Sequence, residues 1–235
     1  MISRISLTIE KELLGKVDAL VDGEELKNRS QTISYLLRTA LKGMVVGKAL
    51  VLAGKNKFLL ERVLAWLKKN GIAQVVIAAG KGSGLSEKYG DGAKHGMEIE
   101  YSFDENKGTA AALKKTEEKF KEPFLLCYSD VFCEELSVKD LLAFHNSQKG
   151  DCTLVLTWSK QPSKYGVAKL SGAKITDFEE KPSSAEGFLI NAGVALCNPG
   201  VFKFLGGASF EKNALPAMAG HGSLSGYVYY GKWMH

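Results

Sequence analysis

The stretch KALVLAGKNKFLLERVLAWLKKNGI, residues 48–72, decides the fold of most of the chain. After Lys48 it is continuously apolar as far as Ala53, which is typical of a strand covered on both faces. A turn at Gly54 leads almost at once into a helix predicted from about Lys57 to Asn70, with apolar residues at helical spacing. Ligands bind at the carboxyl ends of such strands, so this turn is the first candidate binding site.

The rest of the chain extends the same pattern. Strands and helices alternate from Lys48 onward, which predicts an α/β sandwich around a mostly parallel sheet. The apolar run AQVVIAAG is the next strand. Further strands are predicted in the stretches MEIEYSF, PFLLCYSD, CTLVLTW, YGVAKL, KITDFEEKP and FLINAGVAL.

Length and composition limit the class of protein. A chain of 235 residues with 45% hydrophobic content is long enough for one sizeable core and a short extra module. We see no signal region and no run approaching the ~18 apolar residues of a membrane span, so we expect a cytoplasmic protein with no membrane partner. The four cysteines form no CxxC pair, which predicts neither a zinc site nor a disulfide framework. The net charge of +5 is a mild bias toward anionic partners.

A domain boundary is predicted within KGMVVGK, residues 42–48, where a helical pattern ends in glycine and a strand pattern begins. We assign residues 1–43 to a small N-terminal domain, 44–47 to a linker and 48–235 to the larger domain. The small domain opens with the alternating strand pattern RISLTI, residues 4–9. Two amphipathic helices follow, and Asn28 is the predicted N-cap of the second, with Ser30 as the alternative.

One strand and two short helices cannot bury their apolar faces alone, and a lone strand leaves both edges unpaired. A symmetric dimer solves both problems, because two copies of RISLTI would pair as an antiparallel ribbon. Arg4, Ser6 and Thr8 would then point outward together, in a shape that fits the DNA major groove.

The start of the second helix, with Asn28, Arg29 and Ser30, is a candidate phosphate clamp. This order of elements resembles the ribbon-helix-helix family of dimeric DNA-binding proteins. The resemblance implies double-stranded DNA as a partner and a homodimer or a higher even oligomer. The small domain carries seven basic and six acidic residues, so a dimerisation module that never meets nucleic acid is the alternative.

The larger domain resembles the sugar-phosphate nucleotidyltransferase family, whose members join a sugar 1-phosphate to a nucleoside triphosphate. The resemblance implies a Rossmann-like α/β/α nucleotide-diphospho-sugar transferase fold. It rests on eight landmarks in family order: VLAG, KYGDGAKHGMEIEYSFDENKGTAAAL, PFLLCYSDVF, YGVAKL, FEEKP, INAGV, FEKNALPAMA and GKW.

The resemblance also implies the residues of a binding site for a nucleotide sugar or a sugar phosphate. Those expected to contact sugar hydroxyls are Tyr165, Gly166, Glu180 and Asn191, and Lys181 is expected to contact phosphate. Carboxylate and amide acceptors suit hydroxyls, and a lysine ammonium suits phosphate. The elements implied for the base side are Leu52, Ala53, Gly54, Gly108 and Thr109.

Two departures from the family pattern led us to expect a catalytically inactive domain. The long glycine-rich loop that follows LAG in the family is missing, since Gly54 runs through Lys55, Asn56 and Lys57 straight into the helix. Asp130 fills one family position for Mg²⁺, but His235 stands where the second aspartate would fall. Magnesium prefers hard oxygen ligands, so we regarded the metal site as incomplete and assigned no cofactor and no catalytic residue.

The sequence therefore favours a dimeric transcriptional regulator whose inactive nucleotidyltransferase-like domain senses a nucleotide sugar or sugar phosphate. The alternative is a sugar-phosphate nucleotidyltransferase with residual activity that uses the N-terminal unit only to dimerise. A third hypothesis is a constitutive DNA-binding protein whose larger domain serves for oligomer contacts or partner docking.

Overall fold

The computed structural model describes residues 4–41, 45–54, 56–104, 107–184 and 187–235. The chain divides into two compact units, Met1–Met44 and Val45–His235. Of the sequence assignments above, those for Lys55 and for the first linker residue, Met44, fall outside the described residues. Within the described ranges, the helices are too short or too polar to cross a membrane.

The described part of the smaller unit contains two helices, α1 (Lys11–Asp18) and α2 (Arg29–Leu41). The predicted N-cap of α2 is confirmed, since the Asn28 carboxamide oxygen accepts a hydrogen bond from the Gln31 amide at 3.0 Å. The strand predicted over residues 4–9 is not formed. A strand exists only through hydrogen bonds to a neighbouring strand, and the described residues of this single chain supply none.

The smaller unit buries very little apolar surface. Val17 is its one buried apolar side chain among the described residues, and Thr32 is the one buried polar side chain. Ile5 and Leu7 are 75% and 58% exposed, and Leu13, Leu20, Tyr35 and Leu37 are also largely exposed. A unit of this size with so small a core gains little stability from burial within one chain.

The larger unit is built on a nine-stranded sheet in the order β3-β2-β1-β4-β9-β6-β10-β8-β7, in which β7 also pairs with β9. Its strands are β1 (Lys48–Ala53), β2 (Gln74–Gly80), β3 (Glu98–Asp104), β4 (Phe124–Tyr128), β6 (Cys152–Trp158), β7 (Gly166–Ser171), β8 (Lys174–Glu180), β9 (Leu189–Cys197) and β10 (Leu224–Val228). A separate two-stranded sheet pairs β5 (Phe132–Cys133) with β11 (Trp233–Met234).

Helices cover this sheet: α3 (Leu60–Lys69), α4 (Leu85–Tyr89), α5 (Thr109–Lys114), α6 (Val138–Gln148) and α7 (Leu215–Gly220). Short 3₁₀ turns occur at Ala93–His95, Glu117–Lys119, Pro162–Lys164 and Pro199–Phe204, and a π-helical turn at Phe210–Ala214 leads into α7. Alternate residues of β1 belong to two separate apolar clusters, Val51 to one and Leu50 to the other. Because a strand's side chains alternate between faces, the sheet has a core on each side.

The pairing of the strands positions the candidate site. β1 lies parallel to both β2 and β4, with Leu52 opposite Ala78 on one side and Tyr128 on the other. The three carboxyl ends therefore meet at one edge of the sheet. β4 and β6 are antiparallel to β9, which brings Asn191 opposite Leu156. The predicted strands of the larger unit are confirmed, although the sheet mixes parallel and antiparallel pairs.

Candidate functional site

Two clefts lie at this part of the larger unit. The first, which we call the apolar cleft, has a volume of about 240 Å³ and is lined by Leu52, Ala53, Gly54, Ala78, Ala79, Gly80, Asp104, Gly108, Thr109 and Ala112. The second, the polar cleft, has a volume of about 330 Å³ and is lined by Tyr128, Asp130, Val131, Lys164, Tyr165, Gly166, Glu180, Lys181, Asn191, Gly193, Glu211, Trp233 and His235. The structure thus places the residues predicted for the base side in the apolar cleft and those predicted for the sugar phosphate in the polar cleft.

The apolar cleft owes its shape to small residues at the ends of β1 and β2 and at the start of α5. Gly108 has a φ of 101°, and a Cβ there would lie 2.2 Å from the carbonyl oxygen of Ala208. The same carbonyl accepts a hydrogen bond from the Ala110 amide at 3.1 Å. Only glycine permits both the backbone angle and this approach, so the start of α5 is fixed against residue 208.

The segment that follows Gly54 is held by the ends of the two neighbouring strands. The Ser129 hydroxyl, which follows β4, donates to the Asn56 carbonyl at 2.8 Å. The Lys57 ammonium donates to the carbonyl of Ser83, after β2, at 3.1 Å. Ser129 and Ser83 therefore hold Asn56 and Lys57, the described residues between Gly54 and the turn into α3.

Glycine also brings the residues of the polar cleft together. A Cβ on Gly166 would lie 2.3 Å from the Phe178 ring and 2.7 Å from a Glu180 carboxylate oxygen. Lys181, next to Glu180, has a left-handed backbone with φ of 52°, and its amide donates to the Tyr165 carbonyl at 3.0 Å. Non-glycine residues held in this conformation cluster at functional sites. Packing thus sets the position of Glu180 and Lys181 against the Tyr165-Gly166 backbone.

The electrostatics of the polar cleft centre on Glu180, whose side chain is only 15% exposed. Burial raises the pKa of this carboxyl, and the nearby charge of Glu211 raises it further, while Lys181 and Lys212 oppose the shift. The Lys181 ammonium lies 3.9 Å from Glu180 and is itself well exposed. The cleft therefore offers a poorly hydrated acceptor beside an accessible cation.

A hydrogen-bond network around Glu211 links the two clefts. Its Oε2 accepts from the hydroxyls of Thr109 and Ser209, each at 2.7 Å, and its Oε1 accepts from the Tyr128 hydroxyl. Thr109 lines the apolar cleft, whereas Tyr128 and Glu211 line the polar one. Burial, followed by the Glu211 charge, raises the pKa of Tyr128 well above its usual value, so this hydroxyl remains a donor. Sequence reasoning assigns no role to Tyr128 or Glu211, although both lie in the family landmarks PFLLCYSDVF and FEKNALPAMA.

The far wall of the polar cleft is aromatic. The indole of Trp233 donates to the Ala192 carbonyl at 3.1 Å, and the His235 ring stacks on it at 5.8 Å between centroids. Tyr165 packs edge-on against both rings. On the opposite side, the Asn191 carboxamide oxygen accepts from the Gly193 amide at 2.9 Å, which fixes that side chain. His235 therefore lines the cleft as part of an aromatic group.

The polar cleft has a limited set of donors for Mg²⁺. No group of three or more metal-ligating side chains occurs among the described residues. Asp130 lines the cleft and supplies one hard oxygen ligand. Magnesium commonly takes only one or two carboxylates and completes its shell with water and substrate phosphates. The donor set therefore fits a metal that arrives with a phosphate ligand.

The residues predicted to bind DNA occupy the smaller unit. Arg4, Ser6 and Thr8 are exposed in the irregular segment before α1, and Ser30 is exposed in the first turn of α2. The Arg29 guanidinium forms a double hydrogen bond with the Asp18 carboxylate, with both distances 2.6 Å. Asn28 caps α2 and Arg29 is paired with an acid. Two of the three side chains of the predicted phosphate clamp therefore already have hydrogen-bond partners within the smaller unit.

Comparison with known proteins identifies relatives of the larger unit. The model of the nucleotidyl transferase family matches residues 44–234. Among solved structures, UDP-glucose pyrophosphorylase complexed with UDP-glucose has a TM-score of 0.68 at 20% identity, over 80% of this chain and 92% of that one. HddC from Yersinia pseudotuberculosis, complexed with GMP-PN, has a TM-score of 0.65 at 17% identity, over 80% and 93%. The predicted nucleotide-diphospho-sugar transferase fold is confirmed.

Curated relatives give closer sequence matches. The mannose-1-phosphate guanylyltransferase catalytic subunit beta of Dictyostelium discoideum is 35% identical over 188 residues, which is 76% of this chain and 52% of the relative. Its counterpart from Danio rerio is 33% identical over 201 residues, 81% of this chain and 55% of the relative. The chain thus spans about half the length of the curated relatives it matches.

These relatives correct two predictions. They are named as guanylyltransferases, so the prediction of a DNA-binding transcriptional regulator is wrong. The prediction of a catalytically inactive domain is wrong for the same reason. The short connection after Gly54 and the histidine at position 235 are therefore not sufficient grounds for inferring inactivity.

Proposed function

Since the chain belongs to the nucleotidyl transferase family, we propose that its larger unit joins a hexose 1-phosphate to a nucleoside triphosphate and releases pyrophosphate. The observation that carries the proposal is the pair of clefts on either side of the Thr109–Glu211 hydrogen bond. An apolar cleft of small residues suits a base and ribose. A polar cleft with carboxylates and lysines suits a sugar phosphate.

In this reaction a phosphate oxygen of the sugar 1-phosphate attacks the α-phosphorus of the triphosphate. A new P–O bond forms, the bond between the α-phosphorus and the bridging oxygen breaks, and pyrophosphate leaves. The protein's part is positioning and charge stabilisation. We assign sugar orientation to Glu180, Asn191 and the Tyr165-Gly166 backbone, and neutralisation of phosphate to Lys181 and Lys164, which line the cleft.

Asp130 is the residue that would hold Mg²⁺ in the polar cleft. A magnesium ion held there would supply charge neutralisation for the substrate phosphates. Lys57, whose ammonium already reaches across to the end of β2, adds positive charge next to Gly54. These groups offer electrostatic stabilisation without the long glycine-rich loop of the family.

For the substrates we propose mannose 1-phosphate and GTP, following the names of the curated relatives. Asp104 is the acidic residue in the lining of the apolar cleft. A carboxylate is an acceptor-only group and suits the N1–H and N2–H donors of guanine, which adenine lacks. The product would be GDP-mannose.

The forward reaction tests this proposal. The protein is incubated with GTP, mannose 1-phosphate and Mg²⁺, and the release of pyrophosphate and the formation of GDP-mannose are followed together. Asp130→Asn keeps the shape of the side chain and removes its charge, so we expect the rate to fall by about 10²–10³, as for loss of one transition-state stabiliser. Asp140→Asn, an exposed substitution of the same chemistry on α6, is the control. Absence of both products with the unaltered protein contradicts the proposal.

For the smaller unit we propose dimerisation with a second copy of the chain. Its exposed Ile5 and Leu7 alternate with Ser6 and Thr8, and a second identical segment running antiparallel would pair the backbone and cover the apolar face. The small core of this unit supports the proposal, because pairing would bury the apolar side chains that one chain leaves exposed.

Two matched double variants of the whole chain test dimerisation. Ile5→Asn with Leu7→Asn places polar side chains on the alternating apolar face, whereas Ser6→Asn with Thr8→Asn places the same side chains on the other face. Sedimentation should give a monomer for the first pair and a dimer for the second. A monomer for the unaltered chain, or the same mass for both double variants, contradicts the proposal.

A further inference from the structure

Glu211 is a charged residue of the polar cleft to which the sequence analysis assigns no role. It lies in the π-helical turn Phe210–Ala214, a type of turn that is often found at functional sites. Hydrogen bonds fix the backbone on both sides of Glu211. The Phe210 amide donates to the Thr109 hydroxyl at 2.9 Å, and the Lys212 amide donates to the Ser209 hydroxyl at 3.0 Å. The position of the carboxylate is therefore determined by the backbone.

The hydrogen bonds of Glu211 leave part of its capacity unused. A carboxylate has about four acceptor positions. Thr109 and Ser209 both donate to Oε2, and Tyr128 donates to Oε1. Among the described residues these three donors leave one position on Oε1, next to Tyr128, and Glu211 and Tyr128 both line the polar cleft. An anchored carboxylate with one open position suits a hydroxyl donor.

The charged residues around Glu211 indicate which kind of ligand could supply that hydroxyl donor. Glu180 lines the same cleft, and the negative charge of Glu211 contributes to the raised pKa of Glu180. Two carboxylates that line one cleft attract neutral hydroxyls and repel a ligand carboxylate. Lys181 and Lys164 line the same cleft and offer positive charge for the phosphate of that ligand.

We propose that Glu211 is a substrate-binding residue whose Oε1 accepts a hydrogen bond from a ring hydroxyl, so that Glu211 and Glu180 together select 1-phosphates of neutral hexoses over those of uronic acids. The inference rests on the proposed function, because it concerns the sugar half of that substrate. Thr109, Ser209 and Tyr128 are positioning residues, which hold the carboxylate in place.

The test compares GDP-mannose with GDP, because the two ligands share every group except the sugar. Affinities of the whole protein are measured by titration calorimetry at fixed salt and Mg²⁺. Glu211→Gln should weaken GDP-mannose by about tenfold or more, as expected for a hydrogen bond to a charged group, and leave GDP within about twofold. Glu211→Asp, which keeps the charge but withdraws the oxygen, should show the same selective loss. Glu179→Gln, an exposed neighbour of Glu180, is the matched control and should change neither affinity.

The outcomes separate this inference from the proposed function. Equal weakening of GDP-mannose and GDP in both Glu211 variants, or no change in either affinity, overturns the role of Glu211 while the proposed function stands. An unaltered protein that binds neither ligand overturns the proposed function and this inference with it. As a second readout, the unaltered protein should convert mannose 1-phosphate much faster than mannuronate 1-phosphate, and equal rates would overturn the selection.

Discussion

The polar cleft and the apolar cleft hold their shapes by different means. In the polar cleft, charged groups are placed by contacts with one another and with glycines, as in the approach of Gly166 to Glu180. In the apolar cleft, strand ends and small side chains leave a space, and Gly108 packs against backbone. We therefore expect substitutions of polar-cleft residues, Glu211 included, to act on the sugar alone, whereas substitutions beside Gly54 should act on the nucleotide.

The largest selective effect is expected for Gly166→Ala. The added methyl group would meet the Phe178 ring and the Glu180 carboxylate, and overpacking of this kind costs about 1–3 kcal/mol. Affinity for GDP-mannose should fall by about 10- to 100-fold, since ~1.4 kcal/mol corresponds to a factor of ten. Affinity for GDP should stay the same.

Titration calorimetry with the two ligands checks this result. Gly220→Ala is the control, because a Cβ there meets nothing within 4 Å and the backbone has no positive φ. If Gly166→Ala weakens GDP as much as GDP-mannose, the polar cleft does not act on the sugar alone.

An intermediate effect is expected from the charge of Glu180. Burial raises the pKa of its carboxyl above the usual value, so it becomes protonated and loses acceptor capacity as the pH falls through that raised pKa. Affinity for GDP-mannose should therefore fall more steeply on acidification in the unaltered protein than in Glu180→Gln, whose side chain at this position does not titrate. Comparison of the two proteins with the same ligand removes the contribution of the ligand's own phosphates.

The raised pKa of Glu180 also predicts an effect on the stability of the folded protein, and this effect is opposite in sign to the effect on sugar binding. A carboxyl whose pKa is raised on folding favours the folded state below its unfolded pKa, and this contribution is lost as the pH rises through the folded pKa. At pH 7 the buried charge of Glu180 is therefore a cost, and Glu180→Gln should raise the melting temperature while it weakens sugar binding. A lower melting temperature for Glu180→Gln, measured by calorimetry at pH 7, would contradict the role of burial.

The smallest effect is expected beside the apolar cleft. Ser129→Ala removes the hydrogen bond that holds the Asn56 carbonyl, worth about 0.5–1.5 kcal/mol. We expect the KM for GTP to rise by a few-fold and the KM for mannose 1-phosphate to stay unchanged. Ser147→Ala, which removes an exposed hydroxyl bonded within α6, is the control. A rise in the KM for mannose 1-phosphate alone would place Ser129 on the sugar side.

Much of the larger unit could be predicted from the sequence, because its buried strands are continuous apolar runs that end in recognisable turns. The predicted ligand residues also fall into two clefts, since parallel strands bring their carboxyl ends together. Glu211 was missed because its role depends on contacts with Thr109 and Tyr128, which are far away in sequence. The ribbon at residues 4–9 was predicted from alternation together with pairing to a second copy, and the described residues of a single chain supply no such partner strand.

The judgement on catalysis failed for a related reason. Absence of a loop and of one aspartate is visible in the sequence, whereas the contacts that hold the residues after Gly54 are visible only in three dimensions. Ser129 with Asn56 and Lys57 with Ser83 are such contacts. Each joins residues from different strand ends, and none belongs to a local pattern.

If the two clefts form one site for one nucleotide sugar, GDP-mannose must compete with both of its halves, and competition calorimetry measures this. GDP and mannose 1-phosphate are titrated separately, and each titration is repeated with GDP-mannose at saturation. We expect GDP-mannose to bind more tightly than either fragment and to abolish the binding of both. Undiminished binding of either fragment in the presence of saturating GDP-mannose would contradict it.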